Sequence, residues 1–209
     1  YSLVIFSFIA LIINFFYPLN KLINTLVLFI PALILFFFKK YYFNSKYFLF
    51  SIIVSTITFI LITKSNTYRP DAGLYHLPYI SILNSEKIIF GLSGLHFRFG
   101  HTSIIQHTSA IFNNLIFSSN GIVLPAALIY SAVVINFISQ IYKYLKKNNY
   151  NLHLFFLVFI TIFVLVKMVR YSEFGNDIPS HLLFLFLISE IFKNDLNPSI
   201  DEIKNFFII

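Results

Sequence analysis

Six apolar runs dominate this chain, and they constrain its fold more than anything else in it. They cover residues 1–17, 22–38, 47–63, 121–142, 152–169 and 178–192. A helix that crosses the hydrocarbon of a bilayer needs about 17 to 25 apolar residues, and five of the six runs meet that length. The last is shorter and carries Glu190 near its end. Only 11% of the chain is charged and 58% is hydrophobic, whereas a soluble domain carries about 25% charged residues. That is too few to coat a globular surface, so lipid is the expected solvent. Pro31 and Pro125 fall inside runs, which membrane helices tolerate. Lys167, near the end of its run, can snorkel to the interface. The expected architecture is an all-α polytopic transmembrane helical bundle, with amphipathic surface helices in one long extracytoplasmic loop, residues 64–120. The chain opens on Tyr1 and closes on "NFFII". We read it as a fragment of a longer protein, so the first run is not treated as a signal peptide.

The net charge of +7 raises the question of nucleic acid. The lysines argue otherwise, because they sit between apolar runs. Lys39, Lys40 and Lys46 separate runs two and three; Lys143, Lys146 and Lys147 separate runs four and five. Neither linker holds an acid. Positive linkers stay in the cytoplasm, and an even number of crossings separates these two, so both assignments agree. Residues 64–120 and 170–177 then face outward. All 8 acids lie at or beyond Asp71, and four of them (Asp71, Glu86, Glu173, Asp177) fall in the outward segments. Arg69, Arg98, Arg170 and five of the 6 histidines gather on the same side. The alternative is that any long loop is polar. Clustered His, Arg and Asp exceed what an ordinary loop uses.

The loop itself has structure written into it. Pro70 suits the first turn of a helix, and "DAGLYHLPYISIL" continues it with Leu74, Leu77, Ile80 and Leu83 at near-helical spacing. Asp71 falls in that first turn, where the helix dipole favours its charged form. Gly91, Gly94 and Gly100 then break the chain within "GLSGLHFRFGH". A second helix is expected from about Ser103, with Ile104, Ile105, Thr108, Ile111, Phe112 and Leu115 as its apolar stripe. Two such helices would lie along the membrane surface and roof a cavity between the spans. The glycine-rich turn matches neither standard phosphate-loop spacing. It does gather His96, Arg98 and His101, and the arginine fork suits phosphate oxygens. Pairing of Arg98 with Glu86 or with a lipid headgroup is the alternative.

A second outward motif, "VRYSEFGNDIPSH", places Asp177 as a helix N-cap before Pro179. His181, four residues on, shares its face. The chain has no cysteine, which removes disulfides, thiolate metal sites and a cysteine nucleophile. Asp71, Asp177 and the histidines have ligand types that suit a divalent cation, but no H-x-x-x-H pair occurs. The reading therefore includes no cofactor and treats such a cation as a minor alternative.

The residues "RPDAGLYHLPYI" and "SEFGNDIPSH" resemble the two acidic motifs of the GT-C superfamily of polytopic membrane glycosyltransferases. "DAGLYHLPYI…GLSGLHFRFGHTS" is similar, more closely, to a group of bacterial membrane proteins related to these transferases. The likeness covers about residues 68–109 and 173–181. It departs from the superfamily in having Ala72 where many members carry a second acid, and in following the third apolar run rather than the first. The resemblance implies transfer of a sugar from a polyprenyl-phosphate donor, a lipid-linked partner, on the outer face of a bacterial inner membrane. It implies Asp71 as catalytic base, with Arg69, His76, His96, Arg98, His101, Asp177 and His181 around the substrate. It implies no nucleic acid partner. A transporter or flippase, which would place ionisable groups within its spans, and a non-catalytic envelope-assembly subunit are the rival readings.

The absence of native cysteine makes the orientation directly testable. Cysteine introduced at Ser93 is expected to react with an impermeant maleimide from outside, and cysteine at Asn148 only after the membrane is opened. The reverse pattern overturns the orientation.

Overall fold

A computed structural model of the chain describes residues 2–37, 45–64, 70–100, 103–167, 174 and 177–193. The described residues are helical with no strand. The six apolar runs become α1 (Ser2–Phe16), α2 (Lys21–Phe37), α3 (Ser45–Lys64), α6 (Leu124–Lys146), α7 (Leu152–Val166) and α8 (Asp177–Lys193). Between α3 and α6 lie α4 (Leu77–Ser85), which continues a π-helical segment Ala72–His76, and α5 (Ile104–Phe112). Among the described residues one helix, Ser118–Lys146, is long and apolar enough to cross a membrane by itself. The other apolar helices are shorter: Leu3–Phe16, Lys21–Leu33, Phe48–Lys64 and Leu152–Val166.

The helices α1, α2, α3 and α7 are apolar outward. On α1, Val4, Ile5, Phe8, Ile12, Phe15 and Phe16 are exposed, while Ser7, Ala10 and Asn14 are buried. On α7, Phe155, Phe159, Ile162 and Val166 are exposed around a buried stripe of Leu157, Ile160 and Val164. This inverts the pattern of a water-soluble helix, whose polar face looks out. Small and polar residues turned inward let neighbouring backbones approach.

Two packing groups result. In the C-terminal half, α6, α7 and α8 close around Tyr130, Val133, Val134, Phe137, Leu157, Ile160, Val164 and Leu182. In the N-terminal half, α1, α2 and α4 surround α5 through Ala10, Leu19, Tyr79, Ile80, Leu83, Ala110 and Ile111. The helix α3 packs along α6, where Ile62 meets Val123 and Ala127.

The loop departs from the sequence expectation at two points: Leu115, expected on the stripe of the second helix, lies past its end and is exposed, and the helix itself is enclosed. The helix begins just after Ser103 as expected, and Ser103 caps it in a capping box with Gln106. Yet α5 does not lie on a surface, because every residue from Gln106 to Phe112 is buried. The opposite face, with Gln106, His107, Ser109 and Ala110, is buried along with the stripe, and within the stripe the Thr108 hydroxyl meets the Ser7 hydroxyl of α1. Helix termini leave carbonyls without partners, and here amide side chains supply them. Asn24 donates to the carbonyls of Leu19 (2.6 Å), Ala110 (2.8 Å) and Asn113 (2.8 Å). Asn84 donates to Leu19 (2.7 Å) and Ala110 (3.1 Å), and accepts from Asn113 at 2.7 Å. Asn14 reaches the carbonyls of Leu83 (3.3 Å) and Glu86 (3.1 Å).

Gly121 shows how closely α5 and the start of α6 meet. A Cβ there would stand 1.8 Å from the carbonyl oxygen of Phe112, a backbone atom that has no rotamer in which to escape. Gly121→Ala is therefore expected to destabilise the protein by about 3 kcal/mol or more. Gly94, which has nothing within 4 Å of its added Cβ, should accept alanine within about 0.5 kcal/mol. Thermal unfolding of the detergent-solubilised variants measures both, and equal midpoints would contradict the packing.

Candidate functional site

Proline shapes the segment that carries Asp71. Pro78 has no N–H to give the carbonyl of Leu74, and its ring would clash with that carbonyl in an α-helix. The chain answers by widening: Ala72–His76 is π-helical, and the Leu77 N–H bonds the Ala72 carbonyl five residues back. Single π turns of this kind concentrate at functional sites. Asp71 stands at the head of this segment in α conformation and makes no capping bond with its side chain. Its carboxylate is free to face outward.

Arg98 meets it there. Gly91 adopts a left-handed φ of 83°, which starts a tight reversal. Two short 3₁₀ turns, Leu92–Gly94 and Phe97–Gly100, then carry Arg98 back to α4. Its Nη1 donates to Asp71 Oδ1 at 3.1 Å. The guanidinium carbon lies 4.8 Å from the ring centre of Tyr75 and 5.7 Å from that of Phe97. Stacking on two rings orients the fork, because a cation over an aromatic face is held by the ring quadrupole. The pair is open to solvent, with Arg98 40% and Asp71 56% exposed. Exposed ion pairs contribute about 0–1 kcal/mol, so little stability is lost when a ligand separates the two.

His96 belongs to the same cluster. Its Nδ1 accepts the Arg98 backbone N–H at 3.3 Å, and its ring stacks on Phe97 at 5.2 Å. From there aromatic contacts run inward: His96 to Phe99 (5.4 Å), Phe99 to Tyr79 (5.9 Å), and Tyr79 to His107 (6.3 Å, edge to face).

The other expected site residues fall differently. His76 is buried, and its Nδ1 lies 3.2 Å from Gln106 Nε2, so it joins α5 to the π-helical segment rather than standing beside Asp71 at the surface. The two side chains leave the segment on different sides, Asp71 exposed and His76 buried. His181 is exposed on α8 and makes no hydrogen bond to the Asp71–Arg98 pair. Asp177 opens α8; its side chain lies outside the described residues, as do Arg69 and His101. Phe174, three positions before Asp177, packs against the cluster that holds Tyr79 and Leu83, and against Ile62 and Val123. Among the described residues no three His, Asp or Glu side chains converge as metal ligands do.

Sequence reasoning missed Tyr75 and His107. Tyr75 lies four positions from Asp71, which is the spacing of a shared helical face, and that signal was readable. His107 was not, because it lies off the apolar stripe, on the face expected to meet water. In the fold it is buried and neither ring nitrogen has a hydrogen-bond partner.

The chain matches a family described as a domain of unknown function, DUF8201, over residues 1–209, and it belongs to that family. No curated protein and no solved structure matches it.

Burial drives the His107 pKa down from 6.5 to about 4. The folded state therefore favours the neutral ring, and between those values the unfolded chain binds more protons. Stability should be full above pH 6.5 and fall as the pH drops, by about 3 kcal/mol at pH 4. Unfolding midpoints measured from pH 7 to pH 4 should show this loss, and His107→Leu should remove that part of it. An unchanged slope in the variant contradicts the assignment.

Proposed function

We propose that this chain is a polytopic integral membrane protein that transfers a sugar from a polyprenyl-phosphate donor on the outer side of the membrane. The membrane reading is supported by the apolar exteriors of α1, α2, α3 and α7, on which Phe, Ile and Leu face outward along whole helices. A patch of that extent needs a solvent other than water. Helices occupy the six apolar runs, and among the described residues the one over Ser118–Lys146 is long and apolar enough to cross a membrane by itself.

The observation that carries the catalytic reading is the Asp71–Arg98 pair, 3.1 Å apart and open to solvent. It combines a proton acceptor with an anion receptor in one place. Beside it, Phe90, Leu95 and Phe97 are exposed by 84%, 81% and 68% on the glycine-broken loop. Apolar side chains so exposed suit contact with the outer leaflet, where a polyprenyl tail resides. In the reaction, Asp71 takes the proton of an acceptor hydroxyl. The hydroxyl oxygen attacks the anomeric carbon, and the bond from that carbon to the phosphate oxygen breaks. The polyprenyl phosphate leaves with the electron pair. Arg98 uses one of its five donors on Asp71, and the remaining donors are available to the departing phosphate. His96 fixes the backbone that presents Arg98.

Asp71→Asn is expected to lower transfer by about 100-fold or more, the range in which a general base operates. Because the side chain is exposed, insertion and unfolding midpoint should hold. Membranes containing each protein, given labelled polyprenyl-phosphate sugars, report the transfer. Undiminished activity in the asparagine variant would remove Asp71 from the base role.

A further inference from the structure

The opposite end of the C-terminal bundle holds a second polar site. There α6 ends, α7 begins and α8 ends. Asn148, with a left-handed φ of 51°, turns the chain back between α6 and α7. The Asn149 N–H then bonds the Tyr144 carbonyl at 3.0 Å. This tight reversal leaves a half-open cleft of about 270 Å³ lined by Gln140, Lys143, Tyr144, Lys147, Asn149 and Lys193.

The lining has many donors and few acceptors. Among the described residues one acid approaches it, Glu190, and that acid is already engaged. It accepts from Lys193 at 3.2 Å and from Gln140 Nε2 at 2.7 Å. Lys143 and Lys147 have no carboxylate partner among the described residues. They stand four apart, where like charges on a helix repel by about 0.2–0.5 kcal/mol. Favourable contact with the C-terminal dipole of α6 explains lysines at that terminus. It does not explain why three of them, from two helices, border one cavity.

A further unmet need points to the ligand. Gln140 Nε2 already reaches two oxygens, on Asn136 (2.6 Å) and Glu190 (2.7 Å). The amide orientation is thereby set, and its Oε1 is buried without a partner. The cleft therefore asks for an anion that also brings a hydroxyl donor. Around its rim Tyr142 and Tyr150 are each 64% exposed, as tyrosines are at the level of lipid headgroups. Leu152 and Phe155 are exposed on the adjoining outer face of α7, along the path an acyl chain would take.

We propose that this cleft binds a phosphate-bearing anion with a neighbouring hydroxyl, of the kind an anionic glycerol phospholipid headgroup presents. Lys143 and Lys147 hold the phosphate oxygens, and Gln140 Oε1 accepts from the hydroxyl. The site uses neither Asp71 nor Arg98, so it stands apart from the proposed transfer reaction. Basic clefts between helices on the cytoplasmic side are a recurring place for such headgroups.

The test uses the full chain in neutral detergent at low salt. Unfolding midpoints and binding are measured with short-chain phosphatidylglycerol, short-chain phosphatidylcholine, glycerol phosphate and inorganic phosphate. Phosphatidylglycerol should bind and raise the midpoint, and phosphatidylcholine should not. The Lys143→Gln, Lys147→Gln double variant should bind at least 10-fold more weakly. Lys21→Gln, at the other end of the molecule beside Ser118, should bind normally. If glycerol phosphate matches the lipid, the anion site stands and its source is a soluble phosphate; if only the lipid binds, the source is the membrane. Amine-reactive footprinting of the unaltered chain gives a readout independent of variant folding, since bound lipid should shield Lys143 and Lys147. Equal binding by the double variant, equal effects of the two lipids, or no shielding would each overturn the proposal.

Discussion

A chain with an apolar exterior must satisfy its backbone from within, and three buried asparagines do most of that work here. Asn14 and Asn24 are fully buried, and Asn84 is partly so. Between them they donate to the carbonyls of Leu19, Leu83, Glu86, Ala110 and Asn113. These are ends and turns of helices, where intrahelical partners run out. An unsatisfied carbonyl in an apolar interior costs about 1–3 kcal/mol. Replacing water by amides therefore decides which helix ends can meet. The turn between α1 and α2 is joined to the end of α4 and the end of α5 in this way. Once α4 and α5 are anchored there, Asp71 and the glycine-broken loop have one side of the molecule on which to lie.

The molecule is also divided chemically along its length. One end carries the exposed carboxylate, the stacked guanidinium and two histidines within a train of aromatic rings. The other end carries lysines around a cleft near which, among the described residues, one carboxylate lies, that of Glu190, already paired with Lys193 and Gln140. Between them the buried faces of α6, α7 and α8 are mostly Val, Ile, Leu and Phe. Such a partition is what a lipid slab would impose, because the polar ends must each reach water or headgroups.

Local signals in the sequence located most of the elements. Apolar run length placed the six long helices to within a few residues of their ends. The helical spacing after Ser103 located α5, and Pro70 marked the entry to the segment that carries Asp71. The failures have a common cause. The stripe on α5 and the position of His76 were judged from one helix at a time, as though the opposite face met water. In the fold that face is buried too: the Ala110 carbonyl accepts from Asn24 of α2, and Gln106 lies beside His76. Arg98 shows the same limit from the other direction. Its charge was legible, but its choice of Asp71 over Glu86 depends on two 3₁₀ turns and a left-handed glycine.

What the amino-acid sequence determined alone was composition along the chain: where apolar length suffices for a helix, where proline and glycine interrupt it, and which linkers carry lysine. These follow from properties of single residues and their near neighbours. What the tertiary structure decided was partnership. Which carboxylate an arginine 27 positions away would meet, and whether a histidine would end up dry, depend on how helices distant in sequence stack. Burial and pairing are properties of neighbours in space, and a chain carries no local record of them.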